Sequence, residues 1–211
     1  MELVRELASD QVGHGAELLD VNVGAPGIDQ PQVMPEAVAT LSQLTAAPLC
    51  IDTTDPEVLE AALQLYPGRA MVNSISAKRA ALEENLPIAA KYGAMIIAMP
   101  MNDEGMPGEF SERQAAIETI MGEAGDLGYA PQDLAVDGML LAVSSEGEAP
   151  ARALDLIEWA DRTLGANTVV GLSNVSFGLP GREWVNAAFL SMAVARGLNM
   201  AIANPMNRLV M

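Results

Sequence analysis

The sequence predicts an α/β chain of the TIM-type (βα)8 barrel class, truncated so that the first strand and the last helix are missing. Three observations carry that prediction. Apolar runs alternate with helical patterns at intervals of roughly 25–35 residues, as βα units around a parallel sheet do. Runs such as MIIAM (95–99) and TVVGL (168–172) are apolar throughout, which parallel strands covered on both faces require. The runs also stop repeatedly on Asp or Asn: LLDVN, CIDTT, MVNSIS, LAVDG and VGLSN. In a (βα) barrel the inward residues at the C-terminal strand ends converge on one pocket, so polar strand ends are its expected lining. The alternative is an open doubly wound sheet, but its Gly-rich phosphate turn is absent.

Residues 2–15 read as a helix with Leu3, Leu7 and Val12 on one side. GAELLDVNVG (15–24) is a buried strand with a Gly-Pro turn after it, 31–45 a helix, and 48–54 the next strand. Asp55-Pro56-Glu57 opens a helix, because Pro suits its first turn and acids suit its positive end. The pattern continues with strand 70–75, helix 78–92, strand 94–99, helix 111–126, strand 134–141 and helix 148–163. Strand 168–173, helix 182–197 and strand 199–204 complete it. That makes seven strands and seven helices, beginning on a helix and ending on a strand. An eight-fold barrel needs one more strand in front and one more helix behind, and those two pieces are neighbours in a closed wall. No linker, low-complexity segment or charge block divides the chain, so 1–211 is expected to be a single barrel domain.

The 28 acidic against 11 basic side chains give a formal charge of −17, a surface that repels nucleic acid and anionic lipid. Solubility accounts for such an excess, and so does attraction to a positively charged partner surface. No apolar run approaches the roughly 18–20 residues of a membrane span. No basic leader precedes an apolar stretch and cleavage site. Cys50 is the single cysteine, which excludes an internal disulfide and a Cys-based metal site. A reduced, cytoplasmic protein is expected. The 13 methionines, beside few aromatics, predict an adaptable core.

The strand-end set is Asp20, Asn22, Asp52, Asn73, Asp137 and Asn174, without His or Cys, and with Lys78 and Arg79 as the nearest cations. Such a lining suits a neutral, donor-rich heterocycle better than phosphate or a transition metal. A carboxylate accepts two donors at once, and an Asn amide supplies one donor and one acceptor group. The competing reading is that these residues merely cap the helices that follow.

LLDVNVG, IDTTDPEVLEAAL, MVNSIS and GLSNVSFGLPGR, in this order and at these strand ends, resemble the pterin-binding methyltransferases. The resemblance covers essentially the whole chain, including GLNMAIANP as the family's last strand, and lacks only the family's opening strand with its Gly-Glu-Arg-like signature. It implies methyl transfer between N5 of 5-methyltetrahydrofolate and the cobalt of a corrinoid (cobalamin-type) protein, with tetrahydrofolate as substrate and the corrinoid carried by a partner. By the same resemblance, Asp52, Asn73 and Asp137 match pterin-ring ligands, and Asn174 matches the Asn beside N5. A tertiary amine leaves only when protonated or strongly hydrogen-bonded, and the Asn oxygen accepts from N5–H as charge develops there. Asp20 and Asn22 lie on a strand that lines the family's mouth, and stand equally as ligands or as structural residues. Arg182 matches an Arg near the substrate, or is a helix-start surface residue. Lys78 and Arg79 meet the folate glutamate tail or form a solvated helix face. Phe177 stands where the iron–sulfur branch has a polar residue, and matches the methionine-synthase branch.

His14, in the first helix and far from every strand end, reads as structural, and mid-strand Cys50 as a packing thiol. The acids at Asp52–Asp55 and Asp103–Glu104 fit no calcium loop, and no metal is assigned. Two other functions remain open. A dihydropteroate synthase shares the barrel and the ring contacts, but expels pyrophosphate and needs cations where Ser173-Asn174-Val175 stand. A non-catalytic pterin-binding module is suggested by the missing strand and helix, and the exposed edges beside the gap favour a homodimer.

Overall fold

Helix and strand alternate along the whole of residues 1–211, which the computed structural model describes. Seven strands hydrogen-bond in chain order within one sheet. That order is the topology of a (βα) barrel, since a doubly wound sheet reverses its strand order at a switch point. The chain divides into two compact units, residues 1–75 with 79–96, and residues 76–78 with 97–211.

The first unit starts with α1 (Glu2–Gly13), β1 (Leu19–Val21), α2 (Gln30–Leu44) and β2 (Leu49–Asp52). Next come α3 (Pro56–Leu65) and β3 (Met71–Ser76). Helix α4 is a π turn (Ala81–Asn85) continuing into Leu86–Lys91, and leads to β4 (Met95–Met99). Strands β1, β2 and β3 pair in parallel, with Asp20 beside Cys50 and Asp52 beside Asn73. Because side chains alternate along a strand, Cys50 and Asp52 share one face of β2, while Leu49 and Ile51 turn to the other. Leu49, Ile51 and Val72 are fully buried together with Met34, Val58, Leu59 and Leu86. Both faces of these strands are therefore covered, which is why the runs read as apolar throughout.

The second unit holds α5 (Phe110–Asp126), β5 (Leu134–Asp137) and α6 (Ala149–Trp159), the last running into a π turn (Ala160–Leu164). It continues through β6 (Asn167–Gly171), α7 (Arg182–Ala195) and β7 (Met200–Ile202). Strands β5, β6 and β7 are again parallel neighbours. Val170 and Leu172 pack with Ile157, Phe189, Ala193 and Leu198 into its core. Phe110 meets Trp159 edge-to-face at 6.5 Å, tying the start of α5 to the end of α6.

Each expected element is present, but several strands are shorter than the sequence suggests. The run 15–24 pairs only over Leu19–Val21, and 134–141 only over Leu134–Asp137. Past Asp137 the backbone turns, because its carboxylate accepts the Met139 N–H and Met139 adopts φ 53°. The run 168–173 likewise ends at Gly171 and tightens into a 3-10 turn over Leu172–Asn174. No helix is long and apolar enough to cross a membrane.

Candidate functional site

In the first unit, Asp20 within β1, Asn22 just after it, Asp52 at the end of β2 and Asn73 within β3 come together. Asn22 Nδ2 donates to Asp52 Oδ2 at 2.7 Å, and Asn22 Oδ1 accepts from the Gly24 N–H at 2.7 Å. The backbone donor thus decides which way the Asn22 amide faces, and the amide in turn holds Asp52. A Cβ on Gly24 would lie 3.1 Å from Asn22 Oδ1, so the chain is drawn close there. One layer deeper, Asn73 Nδ2 donates to Asp20 Oδ1 at 3.3 Å. Burial, then the neighbouring Asp52 charge, pushes the Asp20 carboxyl up, and donors from Cys50 and Asn73 oppose that. A cleft of about 610 Å³ opens beside this cluster, between Gly24, Ile28 and Gln30 on one loop and Asp52, Thr54 and Asp55 on the next. Its size falls within the range of small-molecule sites.

In the second unit, Asp137 ends β5 half-buried, with Oδ1 accepting from Met139 N at 2.8 Å and Oδ2 left as a further acceptor. Burial pushes its carboxyl up to about 6. Asn174 closes the 3-10 turn after β6 and is exposed, its amide nitrogen only 2.9 Å from where a Cβ on Gly171 would stand. Arg182 folds back from the start of α7: Nη2 donates to the Ser173 carbonyl at 2.8 Å and Nε to Ser176 Oγ at 3.0 Å. It thereby pins the segment that carries Asn174. Phe177, on the same segment, is 69% exposed despite being apolar.

None of Asp52, Asn73 and Asp137 caps a following helix. The helix after Asp52 is capped by Asp55, and those after Asn73 and Asp137 begin at Ala80 and Glu148 without a side-chain cap hydrogen bond. The capping reading of the strand ends therefore fails for these three. Arg79 forms an exposed ion pair with Glu83 at 2.7 Å, as a solvated helix face would. His14 sits at the end of α1, its Nδ1 hydrogen-bonded to the Asp10 carbonyl at 2.7 Å. Cys50 is buried as expected, yet the strand register also sets it directly beside Asp20. Sequence reasoning passed over that contact and the Ser173–Ser176 anchor of Arg182. The sequence signals only that Cys50, two residues before Asp52, shares the face of that site residue.

Residues 2–204 match the family model described as pterin binding enzyme. Among characterised proteins the chain is similar to the methylcorrinoid:tetrahydrofolate methyltransferase of Eubacterium limosum. The two are 29% identical over 215 residues, covering 97% of this chain and 77% of that protein. It is also 28% identical, over 223 residues, to methionine synthase of Mycobacterium tuberculosis, spanning 97% of this chain but only 19% of that much longer protein. Solved structures of dihydropteroate synthases share the fold. That of Stenotrophomonas maltophilia superposes with a TM-score of 0.73 at 23% identity, covering 95% of this chain and 80% of that one. That of Burkholderia cenocepacia gives 0.72 at 22%, covering 93% and 79%.

Proposed function

The chain belongs to the pterin-binding enzyme family, and from that premise we propose that it transfers a methyl group between N5 of 5-methyltetrahydrofolate and the cobalt of a corrinoid protein. The observation that carries this reading over its nearest rival is the state of the β6–α7 segment. A dihydropteroate synthase must stabilise departing pyrophosphate and needs free cationic groups there. Here the segment is Ser173-Asn174-Val175-Ser176, and Arg182 is engaged with the Ser173 carbonyl and the Ser176 hydroxyl. The likeness to the Eubacterium limosum methyltransferase over 97% of this chain supports the same choice.

In this proposal Asp52, Asn73 and Asp137 hold the pterin through its amino and ring N–H groups, with Asp20 and Asn22 behind them. Asp52 and Asp137 each have one oxygen engaged within the protein and one left to accept from a ligand. Asn174 stands beside N5, where its Oδ1 accepts from the N–H as positive charge develops, an interaction stronger in the transition state than in the ground state. The proton comes from solvent, since no general acid stands on the Asn174 segment. The corrinoid cobalt on the partner protein supplies the nucleophile for demethylation, and this chain supplies binding and orientation.

The test is calorimetric titration with 5-methyltetrahydrofolate, followed by single-turnover methyl transfer to a cobalamin acceptor. Asn73→Ala and Asp137→Ala should each weaken binding about tenfold or more, the scale of a lost hydrogen bond to a charged or buried group. Asn174→Ala should bind the folate but transfer the methyl group at least about tenfold more slowly. Folate binding without transfer would favour the non-catalytic module. Formation of dihydropteroate from the pterin pyrophosphate and p-aminobenzoate would favour the synthase.

A further inference from the structure

The register of β1 and β2 sets Asp20 directly beside Cys50, both facing the same way as Asn22 and Asp52. Cys50 is 1% exposed. Burial, followed by the charge and hydrogen bond of Asp20 and the charge of Asp52, holds its thiol protonated, so it serves as an S–H donor and not as a nucleophile. Asp20 accepts from Asn73 Nδ2, and the strand register sets the Cys50 thiol beside it on the same face. With Nδ2 drawn to Asp20, the other end of the Asn73 amide, Oδ1, is turned away from the carboxylate. The flipped amide would place Oδ1 against a carboxylate oxygen, trading a charge-assisted hydrogen bond for repulsion.

We propose that Cys50 and Asp20 act together as positioning residues that choose the orientation of the Asn73 side-chain amide, and thereby make Asn73 an acceptor of a ligand N–H. The same logic already operates one layer above, where the Gly24 N–H orients Asn22 and Asn22 holds Asp52. Removing the thiol leaves Asp20 with one donor fewer beside the Asp52 charge. A proton then becomes its easiest compensation, and a protonated Asp20 donates to Asn73 Oδ1 and permits the flipped amide. Specificity for a ring edge that offers a donor at this point is thus decided by a residue that never touches the ring. Sites that present one fixed hydrogen-bonding polarity reject ligands of the wrong polarity strongly, because a buried group is left unpaired.

The identity of the ligand rests on the pterin reading above; the orientation of Asn73 does not. Two measurements keep them apart. In ligand-free, 15N-labelled protein, the Asn73 side-chain amide signals, assigned by their loss in Asn73→Ala, should shift in Asp20→Asn and in Cys50→Ala. They should stay near the wild-type position in Cys50→Ser, whose hydroxyl still donates. Titration with 5-methyltetrahydrofolate should show about tenfold weaker binding for Asp20→Asn and Cys50→Ala, against less than about threefold for Cys50→Ser, tenfold being one step of 1.4 kcal/mol. A packing role for Cys50 would instead lower the melting temperature of the Ala and Ser variants alike without moving the Asn73 signals. Unchanged Asn73 signals in Asp20→Asn, or equal binding by the Ala and Ser variants at Cys50, would overturn the proposal. Should Cys50→Ala not fold, Asp20→Asn and Cys50→Ser decide it. Should the wild-type chain ignore the folate, the pterin reading falls and the amide signals alone decide the orientation.

Discussion

Asp137 has a carboxyl that depends strongly on its surroundings, with burial raising it from 3.8 to about 6. A carboxyl raised on folding binds its proton more tightly in the folded state. Its contribution to stability is therefore fully present below about pH 4 and is lost as pH rises to about 6. Asp137→Asn keeps an acceptor for Met139 N while removing the buried charge. Urea unfolding should find that variant more stable than wild type at pH 8, by at most about 3 kcal/mol, with the difference fading towards pH 4. Equal stability at pH 8 would show that the carboxylate is not penalised by burial. Wild-type folate binding should weaken as pH falls through about 6, because a protonated Asp137 accepts fewer ring donors. Gly171 poses a second test at this scale. Its φ of −74° suits any residue, so Gly171→Ala should leave the melting temperature within a few degrees. The new Cβ, 2.9 Å from Asn174 Nδ2, must however displace that amide. Methyl transfer should therefore slow while folate binding is largely kept, and an unchanged rate would detach Asn174 from the chemistry.

Among the elements, α3 shows how closely local chemistry follows the sequence. Asp55 Oδ1 accepts from Glu57 N at 2.9 Å and Val58 N at 3.3 Å, and Pro56 opens the helix. Asp55→Ala should cost about 1 kcal/mol of stability, read as a lower urea midpoint with an unchanged slope. A loss below a few tenths would mean solvent satisfies the helix end as well. The buried face of that helix, Val58, Leu59, Ala62 and Leu63, recurs at the helical period and packs in the core of the first unit. Leu59→Ala should therefore destabilise more than the cap does, by about 2–5 kcal/mol. The strand ends were less legible. Where LAVDG and VGLSN leave the sheet depends on Asp137 capturing its own backbone and on the tight turn at Leu172–Asn174. Both are local hydrogen-bonding choices that an apolar run does not signal.

For the molecule as a whole, 28 acidic and 11 basic side chains leave an excess that repels itself. Screening falls to about 8 Å at physiological ionic strength, so the melting temperature at pH 7.5 should rise between about 10 and 150 mM NaCl. A flat response would mean the ion pairs present, such as Lys91–Glu60 and Arg162–Glu158, already neutralise the closest repulsions. The alternation of apolar runs and amphipathic helices, and the Asp and Asn at the run ends, were determined by the sequence alone. Period-two and period-3.6 patterns are properties of consecutive residues. So was membership in the family, since the motifs sit in contiguous stretches. Only the tertiary structure decided that Asp20 and Asn22 face Asn73 and Asp52, that Arg182 turns back onto Ser173, and that Cys50 lies beside Asp20. Each joins different elements, Asn73 and Asp20 being 53 residues apart. Which donor meets which acceptor across such a distance depends on strand register, and register emerges only when the strands pair.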